Sequence, residues 1–214
     1  MMLELNSFTI TYPGKTQPVF APQSFALAPG EAVALRGNSG AGKSSLLLGI
    51  CGLIPTSSPA EVQGEILLFG KPPGDYSPAE RTCLVGMVFQ NPETQLFCGT
   101  VELEVAFGLE NLCVSRDEMQ ARVQQTLKQV GLWERRGESP SVLSGGQKQL
   151  LALASVLVLR PKLLLLDEAM SQLDEQAAAC MTTILQQLRA TGQTMLIVDH
   201  DDARCGFAHR EIWL

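Results

Sequence analysis

Apolar and polar positions along this 214-residue chain fall into two rhythms. In the first third, short apolar or alternating runs are separated by turn residues, which predicts strands. Leu3–Thr11 reads as a strand closed by the turn Tyr12-Pro13-Gly14-Lys15. Pro29-Gly30 is a second turn, and Glu31–Arg36 is a short apolar strand that runs straight into a glycine-rich loop. A helix follows over about Lys43–Cys51, stopped by Gly52 and Pro55, with further strands at Gly64–Phe69 and Leu84–Phe89.

The middle of the chain changes period. Ser115-Arg116-Asp117-Glu118 predicts a capping box, in which a Ser oxygen and a Glu carboxylate satisfy each other's orphan amides. Met119, Val123, Leu127 and Val130 then share one helical face, and Gly131 ends it. After Pro161, the continuous run Lys162–Leu166 predicts a central parallel strand buried on both faces. Glu175–Arg189 reads as a helix with Asp174 as N-cap and Gly192 as terminator, and Thr194–Asp199 as another buried strand. Alternating strands and helices predict an α/β fold with a mostly parallel sheet. Residues 91–159 read as a mostly helical subdomain inserted in a single domain, 1–214.

Composition narrows the function classes. Hydrophobic residues reach 45%, which excludes a disordered chain. Sixteen Lys and Arg against 22 Asp and Glu give a net charge of −6, the wrong sign for gripping nucleic-acid backbones by bulk charge. The longest apolar-leaning stretch, Leu150–Leu159, falls well short of the ~20 residues of a spanning helix. The N-terminus has no basic segment followed by an apolar one, so no signal peptide is expected. Six cysteines lie outside any C-x-x-C, with only His200 and His209 to join them as metal ligands, and they read as reduced structural residues of a cytosolic protein.

Three motifs carry chemistry. Gly37-Asn38-Ser39-Gly40-Ala41-Gly42-Lys43-Ser44 fits the phosphate-binding P-loop, with a strand before it and a helix after it. Its glycines let backbone amides close on phosphates, Lys43 reaches the β- and γ-phosphates, and the Ser44 hydroxyl suits Mg²⁺. Leu163–Glu168 is a buried strand ending in two carboxylates. Asp167 is placed to bind Mg²⁺ through water, and Glu168 to polarise an attacking water. Leu143-Ser144-Gly145-Gly146-Gln147 opens another helix with exposed amides, a second anion site.

Together with Gln90, Ser171-Gln172-Leu173-Asp174 and His200, in that order, these motifs resemble the ATPase subunits of ABC transporters over nearly the whole chain. The resemblance implies a P-loop NTPase with a RecA-like sheet, an N-terminal antiparallel β subdomain and an inserted helical subdomain. It implies ATP and Mg²⁺ as cofactors. ATP would be held by Tyr12, which stacks on adenine, by Asn38, Ser39, Gly40, Ala41, Gly42, Lys43, Ser44 and Ser45, and by Ser144, Gly145, Gly146 and Gln147 of a second subunit. Mg²⁺ would be held by Ser44, Gln90 and Asp167. Glu168, Gln90 and the switch residue His200 would be catalytic.

The segment Val88–Phe97, with Thr100-Val101-Glu102 and Val105-Ala106-Phe107-Gly108, is more narrowly similar to the ATPases of energy-coupling-factor (ECF) importers, which include cobalt and nickel systems. This implies a vitamin or transition-metal importer, a transmembrane subunit docked at Gln95, Leu96 and Phe97, and a second ATPase subunit, either a copy or a paralogue. The chain would sit peripherally on the cytoplasmic face of the membrane. Other ABC transporter classes, and ABC proteins acting on nucleic acid or ribosomes, are the rival readings; the lack of a long coiled-coil insertion speaks against the DNA-acting kind, and the single cassette with net charge −6 against the ribosome-acting kind. Three positions depart from the family pattern. Ala169 stands where Pro is usual, Leu150 where Arg is usual, and Asp199 where Thr precedes the switch histidine. The sequence ends 14 residues after His200, where ECF ATPases carry a further helical segment, so pairing is expected to need nucleotide.

Overall fold

The β-branched and leucine-rich runs of the sequence form two sheets. In the computed structural model, which describes residues 1–199, 201 and 205–214, β1 (Leu3–Thr11) is the middle strand of a three-stranded antiparallel sheet. It is flanked by β2 (Gln23–Leu27) and β4 (Glu61–Leu68). The second sheet is parallel throughout, with β5 (Val85–Val88), β6 (Leu163–Asp167), β7 (Thr194–Val198), β3 (Ala32–Arg36) and β8 (Arg210–Trp213) in that spatial order.

The alternation of strand side chains sorts the parallel sheet onto two cores. Leu164, Leu166, Met195 and Ile197 face a core shared with α3 (Val101–Asn111), α4 (Arg116–Gln129), α5 (Gly145–Leu157) and α6 (Glu175–Ala190). Leu163, Leu165, Leu196 and Val198 face a second core, built with α1 (Lys43–Ile50) and the antiparallel sheet. Strands buried on both faces explain why β6 reads as an unbroken leucine run. The helices α3, α4 and α5 fill the chain between β5 and β6.

Several expectations shift. Ser115 precedes α4 but its side chain makes no capping bond, and the Glu118 carboxylate, the other half of the expected box, pairs instead with Arg122 one turn on. A capping box instead forms at Ser77 and Glu80, which start α2 (Pro78–Leu84), a helix the apolar pattern did not predict. β4 begins at Glu61, three residues early, because pairing with β1 reaches Thr11. The edge strands β2 and β8, only five and four residues long, were also not predicted. No helix among the described residues is long and apolar enough to cross a membrane.

Candidate functional site

The loop between β3 and α1 is shaped by its glycines. Gly40 and Gly42 have φ of 79° and 91°, which an L side chain rarely adopts. At Gly42 packing makes the same demand, since a Cβ there would lie 2.4 Å from Val19 Cγ1 and 2.8 Å from Phe20 Cδ1. Gly42 is the N-cap of α1, so the unpaired amides of the first turn face the loop. Lys43 Nζ is drawn into the same loop, donating to Gly37 O at 2.8 Å and Asn38 O at 2.9 Å. Tyr12 meets this site through its hydroxyl, which shares a 3.0 Å hydrogen bond with Ser45 Oγ.

The end of β6 supplies the acidic side. Asp167 is only 7% exposed, and burial pushes its carboxyl above the usual range. The Ser44 hydroxyl and the Lys43 charge oppose that rise, while the neighbouring Glu168 adds to it. Glu168 holds a left-handed backbone, φ 49°. Its N–H donates to Val198 O at 2.9 Å, and its carbonyl accepts from Ser171 N and Oγ at 3.0 and 2.8 Å. This anchoring aims the carboxylate at Gln90, whose Nε2 donates to Glu168 Oε2 at 2.8 Å. Asn38, Ser39, Glu168 and Asp199 line one pocket of about 770 Å³ beside the loop.

The strand end that carries Gln90 is held by other side chains. Phe89 N–H donates to Gln95 Oε1 at 3.3 Å, and Phe89 O accepts from Gln149 Nε2 at 2.8 Å. Beyond Gln90, Lys148 Nζ pairs with Glu93 Oε1 at 2.6 Å. Sequence reasoning missed Gln149. Its only signal is a glutamine set among the buried Leu150, Leu151 and Leu153 of α5.

The second anion motif starts α5 with a full capping box. Ser144 Oγ accepts from Gln147 N, and Gln147 Oε1 accepts from Ser144 N at 3.0 Å and from Arg135 Nη1 at 2.6 Å. Gly146 must lack a side chain, because a Cβ would stand 2.5 Å from Ala177 Cβ. The contacts of Ser144, Gly146 and Gln147 run to Arg135 and α6, and among the described residues no hydrogen bond joins them to the P-loop. His200 lies outside the described residues.

The family described as ABC transporter matches residues 20–171. The chain belongs to the ABC transporter ATPases. The energy-coupling factor transporter ATP-binding protein EcfA1 of Levilactobacillus brevis is 40% identical over 98% of this chain and 74% of its own length. A longer relative from Methanosarcina acetivorans is 40% identical over 93% of this chain, which spans 31% of that protein. Among solved structures, cbiO1 from Clostridium perfringens, part of the ABC transporter complex cbiONQ, superposes with a TM-score of 0.85 at 30% identity, covering 99% of this chain and 84% of that one. A dimeric ATP-binding cassette in a post-hydrolysis state with ADP and Pi superposes with a TM-score of 0.87 at 27% identity, covering 100% and 94%.

Within this ABC ATPase the atypical positions are buried. Leu150 and Ala169 both pack in the core shared with the helices. Asp199 is buried too; its Oδ1 accepts from Asp201 N at 2.8 Å and its carbonyl from Arg36 Nη1 at 2.7 Å. The expected docking trio divides. Gln95 is half-buried: its Oε1 accepts from Phe89 N and its Nε2 donates to Met87 O, both at 3.3 Å, and it lines the groove beside Phe97. Leu96 packs against the helical core. Phe97 alone is open, 67% exposed and edge-on to Phe107 with ring centroids 4.8 Å apart. The buried Glu104 fixes it there by accepting from Phe97 N at 2.9 Å and Cys98 N at 2.6 Å. The two rings border a groove of about 510 Å³ between α2, α3 and the end of α5.

Proposed function

We propose that this ABC ATPase drives a membrane importer of the ECF type, for a vitamin or a transition-metal ion, from the cytoplasmic face of the membrane. The observation that carries the reading is the Gln90–Glu168 contact, with the buried Asp167 and the Ser44 hydroxyl close to each other beside it under the P-loop. In this reading the amides of residues 38–45 and Lys43 hold the phosphates of ATP, and Tyr12, tied to Ser45, stacks on the adenine. The Ser44 hydroxyl and the Asp167 carboxylate form an oxygen-donor pair that suits Mg²⁺, with Gln90 joining when it leaves Glu168. Bound there, Mg²⁺ would neutralise charge on the β- and γ-phosphates.

Glu168 Oε2, released by Gln90, takes a proton from the water that attacks the γ-phosphorus as the bond to the bridging oxygen breaks and ADP leaves. Ser144, Gly145, Gly146 and Gln147 cover the γ-phosphate bound by a second subunit, a copy or a paralogue, and His200 contacts the γ-phosphate of its own subunit. Residues 91–159 move as a helical subdomain within the single domain. The groove at Phe97 and Phe107 receives a helix of a transmembrane subunit. The L. brevis EcfA1 relative and the cbiO1 neighbour support the ECF assignment.

Three variants test this. Lys43→Ala is expected to lose nucleotide binding. Ser144→Arg is expected to leave binding by an isolated subunit intact while blocking turnover. Phe97→Asp is expected to keep basal ATPase but lose co-purification with the membrane subunit. Wild-type ATP binding by Lys43→Ala, or lost binding in the isolated Ser144→Arg subunit, would defeat the reading.

A further inference from the structure

Gln149 and Lys148 lie immediately after the Ser144–Gln147 turn, on the same helix, yet their contacts reach the strand end that carries Gln90. Gln149 is 2% exposed, and its Nε2 is committed to Phe89 O. Releasing that bond would strand a buried amide donor, so Phe89 and α5 move together or not at all. The other backbone group of Phe89 is held by Gln95, which leaves residue 89 no slack between β5 and α5. The Lys148–Glu93 pair grips the chain on the far side of Gln90. Glu93 is 66% exposed, so this pair contributes little stability and biases position instead. At 1.5 Å per residue, Gln149 lies only about 8 Å along the helix from Ser144.

We propose that Gln149, assisted by the Lys148–Glu93 pair, is a positioning residue that couples the two nucleotide sites of an assembled ATPase pair. The inference rests on the composite-site reading above. When the first turn of α5 settles on the neighbour's γ-phosphate, the helix carries Phe89 with it. That displacement decides whether Gln90 stays on Glu168 or turns to its own nucleotide. Occupancy of one site is thereby transmitted to the water-activating carboxylate of the other through a rigid helix and one buried hydrogen bond.

The test is steady-state hydrolysis against ATP concentration for the assembled transporter. It is paired with binding of a non-hydrolysable ATP analogue to the isolated subunit and with thermal melting. Gln149→Met keeps the volume and removes the donor. It is expected to bind the analogue as wild type does and to melt as a folded protein, while kcat falls and the sigmoidal dependence on ATP is lost. A Gln149→Met enzyme with unchanged kcat and Hill coefficient overturns the proposal. If Gln149→Met fails to fold, the ion pair decides. Lys148→Glu should lower the Hill coefficient, and adding Glu93→Lys should restore it; no drop, or no restoration, overturns the proposal. A hyperbolic wild-type curve, or normal turnover by Ser144→Arg, would instead remove the composite site itself and this inference with it.

Discussion

The Nε2 amide of Gln90 donates to Oε2 of Glu168 at 2.8 Å, joining the exit of β5 to the exit of β6. The carboxylate that would accept a proton from water is thus already engaged by the side chain that would position that water. Glu168→Gln keeps the shape and removes the base. ATP binding should persist while turnover falls by about 10²–10⁴-fold, the range of a lost general base. Equilibrium binding and single-turnover assays on the same protein check this; residual turnover near wild type would assign the base elsewhere.

Asp167 sets a second expectation. Burial raises its carboxyl above the unfolded value, so the folded protein binds that proton more tightly than the unfolded chain does. Its ionised form therefore opposes folding at neutral pH, and the opposition fades as pH falls through the raised value. Asp167→Asn should melt higher than wild type at neutral pH without nucleotide, and the gap should close on acidification. The same variant should lose Mg²⁺-dependent turnover. Melting curves across the acid range, with and without nucleotide, separate the two effects.

Gly42→Ala should damage the cradle twice. A left-handed backbone strains any L side chain by about 1–3 kcal/mol, and the added methyl collides with Val19 and Phe20. Adding Val19→Ala should recover part of the melting temperature, since it removes the nearer contact, but not nucleotide affinity, since φ stays positive. Full recovery of binding would show that the dihedral is unimportant.

Phe97→Asp and Leu96→Asp should behave differently although they are neighbours. Phe97 is exposed, so its substitution should leave melting within about 0.5 kcal/mol of wild type. Leu96 packs on the helical core, and an unpaired carboxylate there should cost several times more. Chemical denaturation of the two variants reads the difference directly.

The thiols should sort by environment. Burial pushes Cys51 and Cys205 up to about 12, while Cys83 and Cys113 are exposed. A short alkylation near neutral pH, read by mass spectrometry, should label Cys83 and Cys113 and spare the other two until the chain unfolds. Early labelling of Cys205 would contradict the packing around it.

The parts legible from sequence are those where neighbours in the chain are neighbours in the chemistry. The P-loop glycines, the leucines of β6 and the Ser144–Gln147 cap are local, and pattern alone finds them. α2 also left a local sign, Ser77 and Glu80 at capping spacing, though with no apolar stripe behind it. The Ser115 segment is the converse, since it has the local spacing, yet the Ser115 side chain makes no capping bond and Glu118 pairs with Arg122. Long-range bonds leave no such trace. Phe20 against Gly42, Tyr12 on Ser45 and Gln149 on Phe89 each join residues far apart in sequence through a single contact. Gln95 is a further case: nothing in its local sequence shows that its amide also bonds the backbone of Met87 in β5 and of Phe89 just beyond it.

The parallel sheet also acts as insulation. Even-numbered leucines of β6 belong to the hydrocarbon shared with the helices, and odd-numbered ones to that beneath the P-loop. A cavity cut at Leu127 or Leu153 is therefore felt first by α3, α4 and α5, where amide exchange should quicken, while α1 keeps its own packing on the opposite face. In the proposed mechanism, damage to these helices disconnects the motor before the nucleotide cradle comes apart. Such a chain would still hold ATP and do nothing with it.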